Sequence, residues 1–562
     1  MLSPDEILRI SEGAEDIAEE LHQDILNRVI DRIMARIGRQ ENYRLTAVDK
    51  WQLETLKDAG FLMEDVQKEI SKRTGMQMKE IKAAFEDAGV RSARYDDAVY
   101  EAAGLSPTPL LESPQYIRIL QRGYNATNGE WKNFTRTLAG EAQQTFIREC
   151  DRAYHQVMSG SVSYTQAVRE AINRLADEGV KVHYPSGRTD TIETATMRAV
   201  RTGISQSCAE VTEARMEEMD WDIILVSAHL GARYTDKNDY TNHMWWQGKF
   251  YSKSGNDKRF PPFSVCGFGN VQGICGANCR HSYGPGDGEF NPYDKIDTEE
   301  NKRAYDLSQE QRGYERKIRD TKRKTLAIKE GRDAADDKAI KDALDLDYQK
   351  SAAKLQEQNK AYKEFCEKNG LKTRAERTQI AKWDREQAKQ AHTAANLHHK
   401  AWLKSIGAEG TSLKTLDKYL NAKYNNTDEY GLLSGYDKAV KTGDISPLVG
   451  FDQYLTTAAA IDEKIIGKVT ANGIEIKSYG THFIDRIIGQ VSEPHSKKRL
   501  GVSVVDALDT LQNPRDISDI YERNGDKRQK FTGDKAKVVI SVEKGRLIQT
   551  NPRKEKNNVN DE

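Results

Sequence analysis

The sequence predicts a mainly α protein with small α+β parts, and three observations support this fold class. Apolar residues recur every three or four positions over most of the chain, which is the period of an amphipathic helix. A highly charged stretch after residue 290 keeps that period and contains almost no proline. Glycine, proline and β-branched residues are instead concentrated in residues 221–286 and 473–552, where we expect strands and turns. Because 562 residues exceed the size of a single hydrophobic core, we expect two to four domains.

The N-terminus is predicted to be one long helix that begins after Ser3. Ser3 is suited to be the N-cap, Pro4 to occupy the first helical position, and Glu6 to complete a capping box. Two apolar stripes follow, one through Ile7, Ile10, Ala14, Ile17, Leu21 and Ile25, the other through Leu26, Ile30, Ile33 and Ile37. Two stripes indicate a helix that is buried on more than one face.

Further helices and one hairpin complete the predicted N-terminal domain, residues 1–290. The helical segments run from Thr46 to about Ala103, with breaks near Gly60, Gly75 and Gly89, and then from Tyr116 to Leu175 and from Thr191 to Met219. Residues 181–190 predict a tight hairpin. The domain is therefore helical, with a small cap of strands and loops at residues 221–286.

The cap contains a disproportionate share of groups that bind metals. Ile223 to Val226 predicts a buried strand, and the glycines and prolines after it predict loops. A tetrahedral ligand set for a structural zinc ion is available in Cys266, Cys275, Cys279 and His281, with His243 as the replacement if His281 points away. The spacing is irregular, unlike the paired cysteines of common zinc modules. Free cysteines packed beside Phe263 and Phe268 are therefore the alternative.

Three motifs of the cap resemble one protein family. They are Ser-Ala-His-x-Gly-Ala-Arg at 227–233, His-x-x-Trp-Gln-Gly at 243–248, and Gly-x-Asn-Cys-Arg-His-x-x-x-Pro at 276–285. In this order they resemble the phage minor capsid protein 2 family, relatives of the phage Mu F-like head morphogenesis proteins. The resemblance implies a virion protein beside the portal that takes part in head assembly or DNA delivery, with portal and capsid proteins as partners.

Residues 291–402 predict a charged helical arm. Its apolar positions alternate in steps of three and four in two runs, through Tyr314, Ile318, Thr321, Thr325 and Ile328, and through Tyr348, Ala352, Leu355, Asn359, Tyr362 and Cys366. This spacing is similar to a coiled-coil heptad, with Asn359 in the seam as a device that sets the register. Gly331 separates the runs, so we expect a helical hairpin or a self-associating coiled-coil arm. A single solvated helical linker is the alternative.

The remaining sequence predicts a helical spacer and a small α+β domain. The spacer covers residues 403–472 and the domain covers 473–562. In the domain, residues 473–479 alternate as a strand, helices follow from Thr481 and from Val502, and a hairpin turns at 543–545. Residues 482–554 contain 15 Lys and Arg against 10 Asp and Glu, an excess of five positive charges.

This arrangement resembles the phage-borne barnase, EndoU, colicin and RelE-like nucleases. The resemblance implies that His482 is the helix histidine, Arg486 its partner arginine and Thr550 the hydroxyl residue at the strand end, the three catalytic positions. Metal-free RNA cleavage needs a proton shuttle and a cation for the phosphate, which His and Arg supply. Basic residues that would hold the backbone are Lys527, Arg528, Lys530, Lys535 and Lys537. His495 and the run from Lys497 to Arg499 are further substrate contacts or a solvated loop, and an inactive nucleic-acid-binding or partner-binding domain of this fold is the alternative.

Bulk properties limit the remaining choices. A net charge of −1 argues against a protein that coats nucleic acid along its whole length. No apolar run is long enough to span a membrane, so no membrane partner is expected. Scattered cysteines indicate synthesis in a reducing host cytoplasm before incorporation into the virion. The sequence favours a structural virion protein that carries a ribonuclease domain. The alternative is a virion-delivered nuclease or toxin whose N-terminal part is only a carrier.

Overall fold

The structure is a computed structural model that describes residues 1–43, 48–293, 295–446, 448–490 and 499–553. Helices dominate it and the sheets are small, so the predicted fold class is confirmed. The chain divides into two compact units, Met1–Ala391 and His392–Glu562. Among the described residues, no helix is long and apolar enough to cross a bilayer.

Six helices form the N-terminal part of the first unit. They are α1 (Pro4–Arg9), α2 (Glu12–Ile37), α3 (Val48–Ala102), α4 (Pro114–Met158), α5 (Tyr164–Glu178) and α6 (Ile192–Glu218). The capping box forms as predicted, because the Ser3 hydroxyl accepts from the Glu6 N–H and the Glu6 carboxylate accepts from the Ser3 N–H. The second stripe is fully buried, and in the first stripe Ala14, Leu21 and Ile25 are buried whereas Ile17 is half-buried. This follows from the position of α2, since α3, α4 and α6 all pack against it.

Three predicted helix boundaries are wrong. The N-terminal helix is interrupted at Ile10 and Ser11, where the Ser11 hydroxyl accepts from Arg201 Nε at 2.8 Å. The predicted breaks in α3 are absent, and the helix continues through all three glycines. At Gly89 a side chain would collide with Leu120 of α4, so the glycine permits close helix packing. The predicted helix from 116 to 175 is two helices, because Ser163 caps a new one.

The cap is a three-stranded antiparallel sheet surrounded by loops. β3 (Ile223–Val226) lies between β4 (Phe250–Ser252) and β5 (Tyr283–Pro285). The predicted central strand is therefore confirmed. A one-turn helix, α7 (His243–Trp246), precedes β4, and the predicted hairpin is β1 (Val182–His183) with β2 (Thr189–Asp190).

The two charged runs form a helical hairpin of α8 (Thr298–Asp333) and α9 (Lys338–Lys368). Their antiparallel order follows from the contacts of Thr325 with Ser351 and of Gln311 with Tyr362. The seam is buried within the chain, so the hairpin prediction is confirmed. Asn359, however, is exposed and does not set the register. The hairpin also packs against α5, so it belongs to the first unit.

The second unit combines helices with a six-stranded sheet. Its helices are α10 (Arg385–Ser405), which begins in the first unit, α11 (Leu416–Tyr424), α12 (Asp428–Thr442), α13 (Phe451–Lys464), α14 (Thr481–Ile488) and α15 (Val504–Gln512). Its strands are β6 (Ser478–Tyr479), β7 (Asp516–Ile517), β8 (Tyr521–Arg523), β9 (Asp526–Thr532), β10 (Ala536–Ser541) and β11 (Arg546–Pro552).

The sheet order is β6-β11-β10-β9-β7, with β8 paired to β9. The predicted terminal hairpin is β10 with β11, and the predicted strand over 473–479 is shorter, only β6. Helices of the predicted spacer, such as α13 with Phe451, share one core with Phe483 and Val538 of the α+β segment. The predicted spacer and the predicted α+β domain therefore share a single hydrophobic core.

Candidate functional sites

In the cap, three metal-binding side chains converge from two segments of the chain. His243 lies at the start of α7, and Cys279 and His281 lie in the loop that leads into β5. Cys279 Sγ is 3.8 Å from His243 Nδ1 and 3.6 Å from His281 Nδ1. Their ligand atoms all lie within 4.8 Å of one another, and all three residues are buried. This group is compatible with a bound metal ion.

The loop that carries Cys279 is shaped by tight turns. Cys275 and Asn278 have left-handed φ angles of 57° and 60°. A side chain at Gly276 would meet the Val271 carbonyl oxygen, so only glycine fits there. Burial and these turns fix where the Cys279 thiol points.

Burial disfavours the charged form of both histidines of this group. Desolvation lowers the pKa of His243 to about 3 and that of His281 well below its ordinary value. Desolvation also raises the pKa of the Cys279 thiol. His229, which belongs to the first family motif but is not among the predicted ligands, stacks on His281 with ring centroids 4.5 Å apart. Its Nδ1 lies 3.1 Å from Arg280 Nη2 and 3.0 Å from the Leu230 carbonyl oxygen. Burial lowers the pKa of His229 to about 4.

The predicted ligands Cys266 and Cys275 are not part of this group. Both are free and buried, but only Cys279 approaches the two histidines at ligand distance among the described residues. The Cys275 thiol donates to the His281 carbonyl oxygen at 3.7 Å. Cys266 packs in the core that contains Phe263 and Phe268, as the alternative prediction expects. The structure thus assembles His243, Cys279 and His281 from the predicted candidates.

In the second unit, His482 and Arg486 are neighbours on α14. Arg486 Nε donates to His482 Nε2 at 3.3 Å, as their spacing of four predicts. The His482 side chain is 47% exposed. Arg486 Nη1 also donates to Asn551 Oδ1 at 3.1 Å. An imidazole and a guanidinium therefore lie together at the surface, beside β11.

Asp485 lies on the buried side of this pair. Its carboxylate is buried, lies 3.8 Å from His482 Nδ1, and accepts from the Tyr454 hydroxyl at 3.0 Å. Burial, and then the Asp485 charge, raise the pKa of Tyr454. The signal for Asp485 is in the sequence, since a residue three positions after His482 shares its helix face. Nothing in the sequence near Tyr454 indicates its contact.

Thr550 does not contact His482 or Arg486. It is fully buried, and its hydroxyl donates to the Lys537 carbonyl oxygen at 3.1 Å across the β10–β11 hairpin. The next residue, Asn551, makes the contact with Arg486 instead. Successive strand residues point to opposite faces of the sheet. A shift of one position along β11 therefore decides which residue is buried and which contacts Arg486.

The predicted basic residues are distributed along β9, β10 and the turn between them. Three are ion-paired: Lys527 with Glu543 at 2.9 Å, Arg528 with Asp526 at 2.9 Å, and Lys535 with Asp506 at 3.1 Å. Lys537 is exposed and lies opposite Asn551 in the strand register. Neither Lys537 nor the half-buried Lys530 has an ion pair within the part of the chain that the structure describes. His495, Lys497 and Lys498 lie outside the described residues.

Comparison with known proteins gives one match. The model of a family described as phage minor capsid protein 2 matches residues 2–367. This range covers the N-terminal helices, the cap and nearly all of the α8–α9 hairpin. No curated protein and no solved structure matches the chain. The His482 pair lies outside the matched range.

Proposed function

Because this chain belongs to the phage minor capsid protein 2 family, we propose that it occupies a position beside the portal of the phage head. Membership makes the chain a structural protein of the phage head, and thus a component of the virion. The observation that supports assigning this role to the first unit is the extent of the match. It ends at residue 367, within one residue of the end of α9, so the matched region ends with a complete structural element of the first unit.

In this proposal the first unit is the part that contacts portal and capsid proteins. A structural zinc ion in the cap belongs to the proposal, because three short strands leave most of residues 221–288 without regular hydrogen bonding. The hairpin seam is filled by the chain itself, with Leu355 buried in it. Self-association through that seam is therefore less favoured than contacts made by its outer faces.

Cross-linking mass spectrometry of intact phage heads tests the position. We expect lysine-reactive cross-links between residues 1–391 and the portal protein, and their loss when heads are dissociated before cross-linking. Cross-links confined to capsid proteins distant from the portal would contradict the proposed position. Absence of the chain from purified virions would contradict the structural role as well.

A second proposal concerns the second unit, which would cleave RNA without a metal ion. The observation that favours it is the hydrogen bond from Arg486 to His482 Nε2, with the imidazole exposed. Because Arg486 can only donate, His482 Nε2 carries a lone pair in this arrangement and the proton is on Nδ1, towards Asp485. When Arg486 turns to a bound phosphate, this lone pair is released and can act as a general base.

In the proposed reaction His482 removes the proton of a ribose 2′-hydroxyl, and the oxygen attacks the adjacent phosphorus to form a 2′,3′-cyclic phosphate. The bond from phosphorus to the 5′-oxygen breaks, and the leaving oxygen takes a proton from the protonated His482 or from water. Arg486 neutralises the charge that develops on the phosphate oxygens. Asn551 has a positioning role, because its Oδ1 accepts from Arg486 Nη1 and holds the guanidinium. The catalytic role that the resemblance gives to the Thr550 hydroxyl is not transferred to it. Lys537, which lies opposite Asn551 in the sheet, would contact the RNA backbone.

The test uses the full-length chain on labelled RNA in the presence of EDTA. We expect cleavage, and a loss of about a hundredfold to ten-thousandfold in rate for His482→Ala. His392→Ala is the matched control, because His392 is also exposed and beside a carboxylate, Asp417 at 3.2 Å, but has no neighbouring arginine contact in the structure's described part. Cleavage that requires a divalent metal, or that His482→Ala leaves unchanged, would contradict the mechanism. Binding without any cleavage would leave a nucleic-acid-binding domain.

A further inference from the structure

The cap contains two histidines whose protonation can be assigned from their hydrogen bonds. His243 Nε2 lies 2.8 Å from the Gln272 carbonyl oxygen. A carbonyl oxygen can only accept, so this nitrogen carries the proton. His243 Nδ1 therefore carries a lone pair, and that atom faces Cys279 Sγ.

The same assignment holds for His281, through Gln247. The side-chain oxygen of Gln247 accepts the backbone N–H of His229 at 3.0 Å, which fixes the orientation of the amide group. His281 Nε2 lies 2.9 Å from that oxygen and must donate to it. His281 Nδ1 therefore also carries a lone pair, and it too faces Cys279 Sγ.

A thiol cannot satisfy both of these nitrogens. Cys279 has one S–H proton, which can be donated to His243 or to His281 but not to both. The other lone pair would face sulfur in a buried environment without a donor, which is costly. A cation in the middle removes the conflict, because it accepts both nitrogen lone pairs and the sulfur as a thiolate.

The two sulfur–nitrogen distances fit such a cation. Tetrahedral zinc with a Zn–S distance of about 2.3 Å and a Zn–N distance of about 2.0–2.1 Å holds sulfur and nitrogen about 3.6 Å apart. The two observed separations are 3.6 Å and 3.8 Å. The His281 backbone N–H also donates to Cys279 Sγ at 3.3 Å, which stabilises a thiolate.

We propose that His243, Cys279 and His281 hold one zinc ion, with a water molecule as the fourth ligand, and that Cys266 and Cys275 do not bind it. The inference rests on the structural zinc of the proposed function and assigns its ligands. Gln272 and Gln247 are the outer partners that orient the two imidazoles, as metal-bound histidines require. Trp246 packs against both rings, with centroids 4.5 Å from His243 and 4.8 Å from His281. The ion would join α7 to the loop before β5, two segments otherwise connected by irregular backbone.

Metal analysis of the full-length chain, purified without chelator, tests the assignment. We expect about one zinc ion per chain, and a loss of at least tenfold in zinc content for His243→Asn and for Cys279→Ser. Cys266→Ser and Cys275→Ser are matched controls, because both residues are buried cysteines of the same core, and they should retain the ion. Circular dichroism of all four variants shows whether any has failed to fold.

Replacement of zinc by Co²⁺ in the unaltered chain gives a readout that needs no substitution. We expect the visible absorption of a tetrahedral ion and a charge-transfer band with the intensity of one thiolate. A band with the intensity of three thiolates, or zinc lost from Cys266→Ser or Cys275→Ser but kept in His243→Asn, would overturn the ligand assignment while leaving a zinc ion in the cap. A chain that takes up neither Zn²⁺ nor Co²⁺ would overturn both.

Discussion

The cap and the second unit both place histidines beside polar partners, but they differ in burial. His281 in the cap is 1% exposed, and its ring is enclosed by His229, His243 and Trp246. His482 in the second unit is 47% exposed and is held by one arginine. A buried neutral imidazole with a fixed tautomer is suited to hold a ligand, whereas an exposed one can exchange protons with solvent. Under the two proposals, the same residue type has a structural role in one region and a chemical role in the other.

The difference extends to other charged groups of the first unit. Glu193 is buried against His22 at 3.0 Å and Arg323 at 2.7 Å, and Arg323 also contacts Glu19. These contacts connect α6 and α2 to α8 of the hairpin. Removal of one partner from such a group leaves an uncompensated buried charge, so the network specifies how the hairpin is docked. In the second unit the basic residues near His482 lie at the surface instead.

The largest expected effect is on the stability of the cap. Trp246 is 1% exposed and contacts both ligand histidines, so Trp246→Ala should lower the free energy of unfolding by about 3–5 kcal/mol. Urea denaturation followed by circular dichroism measures it. Trp245→Ala is the matched control, because this neighbour is only half-buried and should cost clearly less. RNA cleavage by the folded Trp246→Ala chain should be unchanged. Equal costs for the two tryptophans would show that the cap is not built around Trp246.

What the sequence could predict in both regions depends on how local the cause is. The capping box at Ser3 and the strand at Ile223 follow from neighbouring residues, and both are present. The helix break at Ser11 could not be predicted, because the arginine that bonds its hydroxyl is 190 positions away. Gly89 has its effect through Leu120, on another helix.

The sites follow the same rule. The spacing of His482 and Arg486 on one helix is a local pattern, and the structure brings them together. His243 and Cys279 are 36 positions apart, so the sequence could name candidate ligands but could not show which of them come together. Thr550 and Asn551 differ only in strand register, and the irregularity between Val539 and Ile540 that shifts the pairing has no clear sequence signal.

The second prediction concerns the pH dependence of stability, which a largely buried carboxyl group of the first unit should influence. Desolvation raises the pKa of Glu15 on α2 from 4.5 to about 7. The folded state then binds this proton more tightly than the unfolded state does, so its contribution to stability is complete below pH 4.5 and is lost as pH rises through about 7. The side chain is 33% exposed, so we expect a loss of about 1–2 kcal/mol rather than the full value of the shift.

Glu15→Gln should remove this contribution. The unfolding free energy of the variant, measured in urea at pH 5 and pH 8, should change less between the two values than that of the unaltered chain. Glu12→Gln, an exposed position on the same helix, is the control and should leave the pH dependence as it is. An unchanged pH dependence in Glu15→Gln would mean that this carboxyl ionises freely in the folded chain.

A third prediction separates Asn551 from Thr550. Asn551→Ala removes the acceptor that holds Arg486 Nη1, so RNA cleavage should fall by about tenfold, the equivalent of one hydrogen bond to a charged group. Thr550→Val keeps the shape of a buried side chain and loses only its hydroxyl, so it should lower stability by about 1 kcal/mol and leave cleavage unchanged. Rates measured under single-turnover conditions decide between them. The reverse result would restore Thr550 to the catalytic role.

The smallest expected effect distinguishes free from paired lysines on the sheet. Lys537 is exposed, has no ion pair in the described residues, and lies opposite Asn551, so its ammonium group is available to a backbone phosphate next to the His482 pair. Lys527 is equally basic but is neutralised by Glu543 at 2.9 Å. Lys537→Ala should therefore weaken RNA binding a few-fold and reduce the slope of log K against log salt by roughly 0.7, the value for one phosphate contact on a single strand. Lys527→Ala, the matched control, should change the slope by less, because its ammonium group is already paired with Glu543 and contributes less to phosphate binding. Binding titrations of the full-length chain at several salt concentrations measure both. If both variants reduce this slope equally, the RNA contacts the whole basic surface of β9 and β10. The contact is then not centred on the exposed His482.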